Sequence, residues 1–170
     1  IGRSLPEVEA ALPEVALGGI EARRVWATAL VLAWMERRPG EEALFEMVAD
    51  AGAEVIMTGR NMENLASLAG SIKLRTGKRP ETLHIDLADI SQVTLTAKKM
   101  RDAGTPLDIL INNAAQWLPG AMDSHDAYAI ANTITGNVTG TLLFTRGLLP
   151  LLEKSGAGDI LNIVSTSGIH

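Results

Sequence analysis

The stretch Leu107-Asp108-Ile109-Leu110-Ile111-Asn112-Asn113-Ala114-Ala115 joins a short apolar run to a turn of small and amide side chains. The run is shorter than a typical helix and rich in branched aliphatic residues, which is typical of a strand buried on both faces. Two asparagines and two alanines then follow, and such residues favour turns that a flat ligand can approach closely. The stretch therefore predicts a strand that ends at a binding edge.

Outward from this strand, apolar strand-like segments alternate with segments of helical periodicity. The predicted strands cover residues 29–33, 54–58, 82–85, 107–111 and 159–164. The predicted helices cover residues 41–51, 62–70, 90–103 and a long segment, 124–149, that ends ahead of Pro150; residues 71–80 are predicted to be a polar, basic connector. This alternation predicts a Rossmann-type, doubly wound α/β fold, with a parallel sheet between two helical layers and right-handed crossovers.

The length of 170 residues suits one domain. Residues 1–27 have weak periodicity and contain proline and paired glycines, so we expect an N-terminal extension before a Rossmann-type domain over 28–170. The start of that domain allows two interpretations. Residues 29–33 could form a short buried strand, or 24–38 could form a buried helix, because no turn residue interrupts the apolar run before Pro39.

Composition excludes several classes of function. The net charge of −5 argues against general binding to nucleic acid or to a membrane surface, since both carry negative charge. The chain has no cysteine, and its three scattered histidines lack metal-ligand spacing, so we predict neither a thiolate nor a metal site. The longest apolar run is too short to span a bilayer. We expect a soluble, cytoplasmic protein.

Small and polar residues follow four of the predicted strands. Ligands of open parallel sheets bind beyond the carboxyl ends of the strands, where these residues would meet. Ordinary turns use the same residue types, but their recurrence at four strand ends favours one shared crevice. We expect that crevice to gather four side chains: Arg60, Asp86, Asn113 and Ser165.

Four motifs resemble those of the short-chain dehydrogenase/reductase family. Residues 107–115 are similar to its Asn-Asn-Ala-Gly stretch, and Asp86-Leu87-Ala88-Asp89 to its acidic turn. Asn137-Val138-Thr139-Gly140-Thr141 resembles the active-site helix, and 158–165 resembles the strand that carries the catalytic serine. The resemblance extends from about Gly52 to the C-terminus and rests on the order and spacing of the motifs.

The resemblance implies an NAD(P)-dependent oxidoreductase that acts on a small-molecule carbonyl or alcohol by hydride transfer. Ser165 would donate a hydrogen bond to the substrate oxygen and stabilise charge that develops there. Asn137 would open its helix locally and hold a water in a proton relay. The implied cofactor-binding residues are Asp86 and Leu87 at the adenine, Asn113 and Ala114 at the ribose, and Ala115 beside them.

Charge favours NADP(H) over NAD(H). Rossmann proteins that prefer NAD place an acid after the second strand to bind the ribose 2′-hydroxyl, whereas this chain has Gly59 and Arg60. An arginine can bind a 2′-phosphate through paired donors. Residues 60 to 79 contain one acid, Glu63, and five basic residues: Arg60, Lys73, Arg75, Lys78 and Arg79. These basic residues either form a local positive patch or lie on a solvated helix and loop.

Two departures from the family pattern matter. The glycine-rich phosphate turn should fall at residues 33–40, where only Gly40 matches. The family's general acid, a tyrosine in Tyr-x-x-x-Lys, should follow Ser165 by about a dozen residues, and the sequence ends at His170. Either the chain is partial, or it is a degenerate Rossmann module that binds only a nucleotide or a protein partner. An S-adenosylmethionine methyltransferase is disfavoured, because such enzymes usually have an acid after the second strand to bind the ribose hydroxyls, and this chain has Arg60 there.

The predicted helix over 124–149 bears on assembly. It is apolar around much of its circumference, more than one sheet face can cover. Members of the similar family commonly pair through this helix, so the resemblance implies a homodimer or homotetramer.

Overall fold

The computed structural model describes residues 28–32 and 41–163, and this part of the chain is a three-layer α/β fold. Five parallel strands lie in the order β3-β2-β1-β4-β5, which confirms the Rossmann-type fold class. The strands are β1 Thr28–Leu32, β2 Glu54–Gly59, β3 Glu81–His84, β4 Ile109–Asn112 and β5 Asp159–Asn162. The α-helices are α1 Glu41–Asp50, α2 Met62–Thr76, α3 Ile90–Asp102, α4 Ala127–Ile134 and α5 Thr141–Lys154.

The core has two parts because successive strand side chains point to opposite faces of the sheet. Met57 and Ile111 pack with α1 and α2 on one face. Their neighbours Ile56 and Leu110 pack with α3 and α5, around Phe144, on the other. Strands covered on both faces consist of apolar residues without alternation, which is why the sheet is readable from sequence.

The strand register places the functional edge. Leu32 of β1 pairs with Thr58 and Asn112, and Asn112 in turn pairs with Asn162. The last residue of β2, Gly59, pairs with His84. All carboxyl ends therefore lie along one edge of the sheet, as the strand-end argument requires.

The structure confirms a strand, and not a helix, at the start of the domain: β1 covers residues 28–32 and pairs with β2 and β4. The predicted N-terminal extension at 1–27 and the phosphate turn at 33–40 lie outside the described residues. Among the described residues, no helix has both the length and the hydropathy that crossing a membrane requires.

The predicted connector at 71–80 is wrong over its first half, because α2 continues through Gly70 to Thr76. Ile72 is buried against the sheet, and this burial outweighs the low helix propensity of Gly70. The helix ends at Gly77, whose φ of 79° gives the left-handed cap that glycine adopts most readily.

The predicted helix over 124–149 differs from the structure at both ends. Asp123 and Ser124 belong to a short 3₁₀ turn, and the helix begins at Ala127, where the Asp126 carboxylate accepts a hydrogen bond from the Ala129 N–H at 2.7 Å. At the other end, α5 continues past Pro150 to Lys154. Proline removes one helical hydrogen bond, but Leu151 and Leu152 beyond it are buried in the core and keep the last turn in place.

Candidate functional site

An open cleft of about 390 Å³ lies at the carboxyl edge, between the ends of β2, β3 and β4 and the segment that joins α4 to α5. Small side chains line much of it, which leaves room for a flat group near the backbone. Six residues predicted from sequence lie on its wall: Arg60, Asp86, Leu87, Ala114, Ala115 and Asn137.

Two other predicted site residues stay predictions. Asn113 is half-buried and is not among the residues that line the cleft, so its contact with a ribose stays a prediction. Ser165 lies outside the described residues. Of the four side chains expected in one crevice, the structure brings Arg60 and Asp86 together.

Arg60 is positioned by the strand before it and the helix after it. Gly59 is buried, and its carbonyl oxygen accepts a hydrogen bond from the Ile85 N–H at 3.1 Å, which joins the tips of two neighbouring strands. Asn61 caps α2, because its side-chain oxygen accepts from the Asn64 N–H at 3.0 Å. The exposed Arg60 side chain thus stands on a fixed backbone at the rim of the cleft.

The other predicted basic residues do not share this location. Arg75 pairs with Glu46 and Asp50 of α1 at 3.0 and 2.9 Å, and the hydrogen bond to Glu46 raises the pKa of Arg75. Lys78 and Arg79 donate to backbone carbonyls. Arg75 lies in the last turn of α2, which begins beside Arg60, so at about 1.5 Å per residue it is roughly 20 Å farther along the helix. Arg79 follows the helix, and its guanidinium reaches back to the Ala66 carbonyl in the second turn. Of the five basic residues, Arg60 alone lines the cleft, which favours the interpretation of a solvated helix and loop for the other four.

The acidic turn after β3 forms part of the wall of the cleft. The Asp86 carboxylate accepts a hydrogen bond from the Ala88 N–H at 2.9 Å, so this side chain shapes its own turn. The buried Gly140 packs directly on the turn, because a Cβ there would overlap the carbonyl oxygen of Leu87. Gly136, one turn earlier, lies 3.7 Å from the Ala88 nitrogen by the same measure.

The segment Thr135–Gly140 is a π-helical turn between α4 and α5. Such turns widen a helix locally and are frequent at functional sites. Asn137 lies in its middle, and its side-chain oxygen accepts from the Gln116 N–H at 2.6 Å while its Nδ2 donates to the Gln116 carbonyl at 2.8 Å. The helix is thus widened at the predicted residue, whose side chain holds the loop after β4; the proton-relay role stays a prediction.

Asn112 forms a polar bridge beneath the cleft. Its Nδ2 donates to the Asn162 side-chain oxygen at 2.8 Å and to the Thr145 hydroxyl at 3.1 Å. This links β4 to β5 and to α5 just before the segment predicted to carry Ser165. Asn112 is buried, and within the described part of the chain its Oδ1 has no hydrogen-bond partner.

Sequence reasoning did not assign several residues of the wall to the site, notably Gln116 and Gly136. The spacing of Gly136 and Gly140, four residues apart on one helix face, was a signal that this face approaches another backbone closely. Gln116 gave no such signal, because Asn137 binds its backbone N–H and carbonyl, which every residue type other than proline has.

The comparisons with known proteins agree with this geometry. The family model described as short chain dehydrogenase matches residues 41–170. An uncharacterized oxidoreductase from Staphylococcus saprophyticus is 32% identical over 128 residues, which is 75% of this chain and 55% of the relative. The ketoacyl reductase HetN from a Nostoc species is 29% identical over 121 residues, 71% of this chain and 42% of the relative. The chain thus spans about half the length of these relatives.

Solved structures show the same similarity. A short chain dehydrogenase from Shigella flexneri superposes with a TM-score of 0.70 at 29% identity, covering 85% of this chain and 57% of the other. A protein from Escherichia coli crystallised with NADPH gives a TM-score of 0.70 at 28% identity, covering 85% and 60% of the two chains.

Proposed function

Because the chain belongs to the short-chain dehydrogenase family, we propose that it is the cofactor-binding portion of an NADP(H)-dependent oxidoreductase. The reaction would be reduction of a small-molecule carbonyl or oxidation of a secondary alcohol. One observation carries the proposal: a single cleft collects Arg60, the Asp86-Leu87 turn, Ala114 and Ala115, and Asn137 at the carboxyl edge of a parallel sheet. A similar Escherichia coli protein was crystallised with NADPH, which supports the cofactor class.

The residues of the cleft fit the adenosine half of a dinucleotide. The small side chains along the wall do not extend into the cleft, so a planar base can lie near the backbone at Gly59, Ala88 and Gly136. Arg60, the residue directly after β2, supplies a cation at the rim at a position where an acid would repel a phosphate. The carboxylate of Asp86, on the same wall, accepts a hydrogen bond from the Ala88 N–H. Leu87 offers an apolar surface beside the turn. These features suit a nucleotide with a phosphorylated ribose.

When bound, the cofactor would donate or accept a hydride. Ser165 would then donate a hydrogen bond to the substrate oxygen and lower the cost of charge that develops on it. Asn137 would keep the loop after β4 in place, because its carboxamide engages both polar backbone groups of Gln116. Proton transfer would require a further group, for which the family pattern supplies a tyrosine.

We also propose assembly through the long helical segment and a cytoplasmic location, the latter from the composition alone. Ile134, Val138 and Leu142 are 56%, 48% and 63% exposed and recur every four residues, so they form one apolar stripe. Such a stripe suits an isologous contact between two copies.

The cofactor proposal is tested by titrating the protein with NADPH and NADH and comparing the two dissociation constants. We expect NADPH to bind about tenfold more tightly or better, since a charged hydrogen bond contributes about 1.5 to 3 kcal/mol. Equal affinity, or tighter binding of NADH, would reject the preference. Absence of saturable binding of either would reject the function and favour a module that binds a protein partner.

A further inference from the structure

The amide of Asp86 is held by a side chain that lies outside the cleft wall. The Asp86 N–H donates to Oε1 of Gln92, on the first turn of α3, at 2.6 Å. The other end of the same carboxamide, Nε2, lies 2.9 Å from Nδ1 of His84 at the end of β3. Gln92 therefore bridges the last residue of β3 and the first residue of the turn.

The backbone donor fixes the direction of this chain of hydrogen bonds. A main-chain N–H can only donate, so the Gln92 atom that faces Asp86 must be the oxygen. The nitrogen then faces His84 and donates, which requires Nδ1 of His84 to accept. The geometry thus assigns the acceptor role to Nδ1 of His84, and the two hydrogen bonds together fix the orientation of the carboxamide.

The same turn is confined on its other side by main chain. Gly140 leaves no room for even a methyl group beside the Leu87 carbonyl, and Gly136 lies close to Ala88. Close packing thus holds the turn against the π-helical segment. The hydrogen bond to Gln92 in addition fixes the orientation of the Asp86 peptide plane. A hydrogen bond fixes the angle of a peptide plane, which packing of small residues alone does not.

We propose that Gln92 is a positioning residue for the nucleotide: its carboxamide, oriented by His84, holds the Asp86 peptide so that Asp86 and Leu87 present a fixed surface to the base. The inference rests on the proposed function for the identity of the ligand. The claim that Gln92 holds the turn can be measured without any ligand.

The test compares Gln92→Met, which keeps the length of the side chain and loses both hydrogen bonds, with Thr94→Val as the matched control. Thr94 lies on the same helix, and its hydroxyl donates to the carbonyls of Ile90 and Ser91 within it. Hydrogen exchange at the Asp86 amide is measured by NMR in the unliganded proteins. We expect exchange in Gln92→Met to be at least fivefold faster than in the wild type and unchanged in Thr94→Val, since one hydrogen bond contributes about 1 kcal/mol.

A conservative variant and a spectroscopic readout separate positioning from general destabilisation. Gln92→Glu keeps an oxygen that accepts from the Asp86 amide, so it should restore the protection that Gln92→Met loses. The ¹⁵N shifts of the neutral His84 ring should show its proton on Nε2 in the wild type. Wild-type exchange in Gln92→Met, or equal acceleration in Thr94→Val, would overturn the inference.

Titration with NADPH then tests the link to function. The dissociation constant should rise about fivefold in Gln92→Met and stay within twofold of the wild-type value in Thr94→Val. If the wild type binds NADPH and Gln92→Met binds equally well, the positioning role is wrong while the proposed function stands. If the wild type binds neither cofactor, the proposed function fails, and the exchange rates still decide whether Gln92 holds the turn.

Discussion

The two walls of the cleft are held in place by opposite means. On the wall formed by the turn after β3, two glycines let the π-helical segment approach the main chain of Leu87 and Ala88. On the wall formed by the loop after β4, carboxamides make the connections, with Asn112 bridging β4 to β5 and Asn137 holding Gln116. The first wall therefore has no space for a side chain larger than the hydrogen of glycine. The second wall depends on hydrogen bonds that its asparagine side chains make. Substitutions on the two walls should fail in different ways.

The largest effect is expected where an atom is added to the first wall. Gly140→Ala places a Cβ against the Leu87 carbonyl, so the π-helical segment or the turn must move. We expect a loss of about 3 kcal/mol in the free energy of unfolding, at the upper end of overpacking effects. Urea denaturation measures it. The control is Gly70→Ala in α2, where no atom lies within 4 Å and stability should rise by about 0.5 kcal/mol. Similar losses in both variants would refute the close-packing interpretation.

Removing the bridge in the second wall should cost less. Asn112→Leu deletes the bonds to Asn162 and Thr145 at a buried position, and we expect a loss of about 2 kcal/mol in unfolding free energy. Thr145→Val removes one of these bonds while keeping the shape of the side chain, so about 1 kcal/mol is expected. Denaturation curves of both variants check the order. A larger loss in Thr145→Val would show that the bridge to β5 contributes little.

A substitution of Arg60, at the rim of the cleft, is expected to change cofactor binding and not folding. Arg60→Ala should weaken NADPH binding about tenfold and leave NADH binding unchanged, because the 2′-phosphate loses its cation. Isothermal titration gives both constants. Arg79→Ala is the matched control, because this arginine does not line the cleft and donates to the Ala66 carbonyl, so both affinities should stay unchanged. Equal weakening of NADPH and NADH in Arg60→Ala would contradict the assignment of the phosphate to this side chain.

The smallest energetic effect concerns the exposed surface of α5, the helix that follows the π-helical segment. Leu142→Glu puts a charge into the apolar stripe, and we expect the monomer to dominate where the wild type is a dimer or tetramer. Light scattering over a range of concentrations measures the mass, and Glu153→Gln at the exposed end of α5 serves as the control. A wild-type protein that stays monomeric would refute assembly through this stripe.

The same contrast explains how far the sequence could be interpreted. The strands were predictable because both of their faces are buried, as for Ile109–Asn112, and Arg60 and Asp86 follow from the rule that sites lie at strand ends. Helix limits were less predictable, since burial of Ile72 carries α2 through a glycine. Gln92 and Gln116 were not predictable at all. Their roles arise from hydrogen bonds between elements that only the tertiary fold brings together.

If the cleft between these walls binds the nucleotide, an NADPH titration followed by NMR should locate the binding there. We expect saturable shifts for the amides of Gly59, Ala88, Ala115 and Gly136, which lie around the cleft. No change is expected for Gly77 and Thr105, at the opposite edge of the sheet. Shifts confined to that opposite edge, or no saturable shift at any of the six amides, would contradict binding in the cleft.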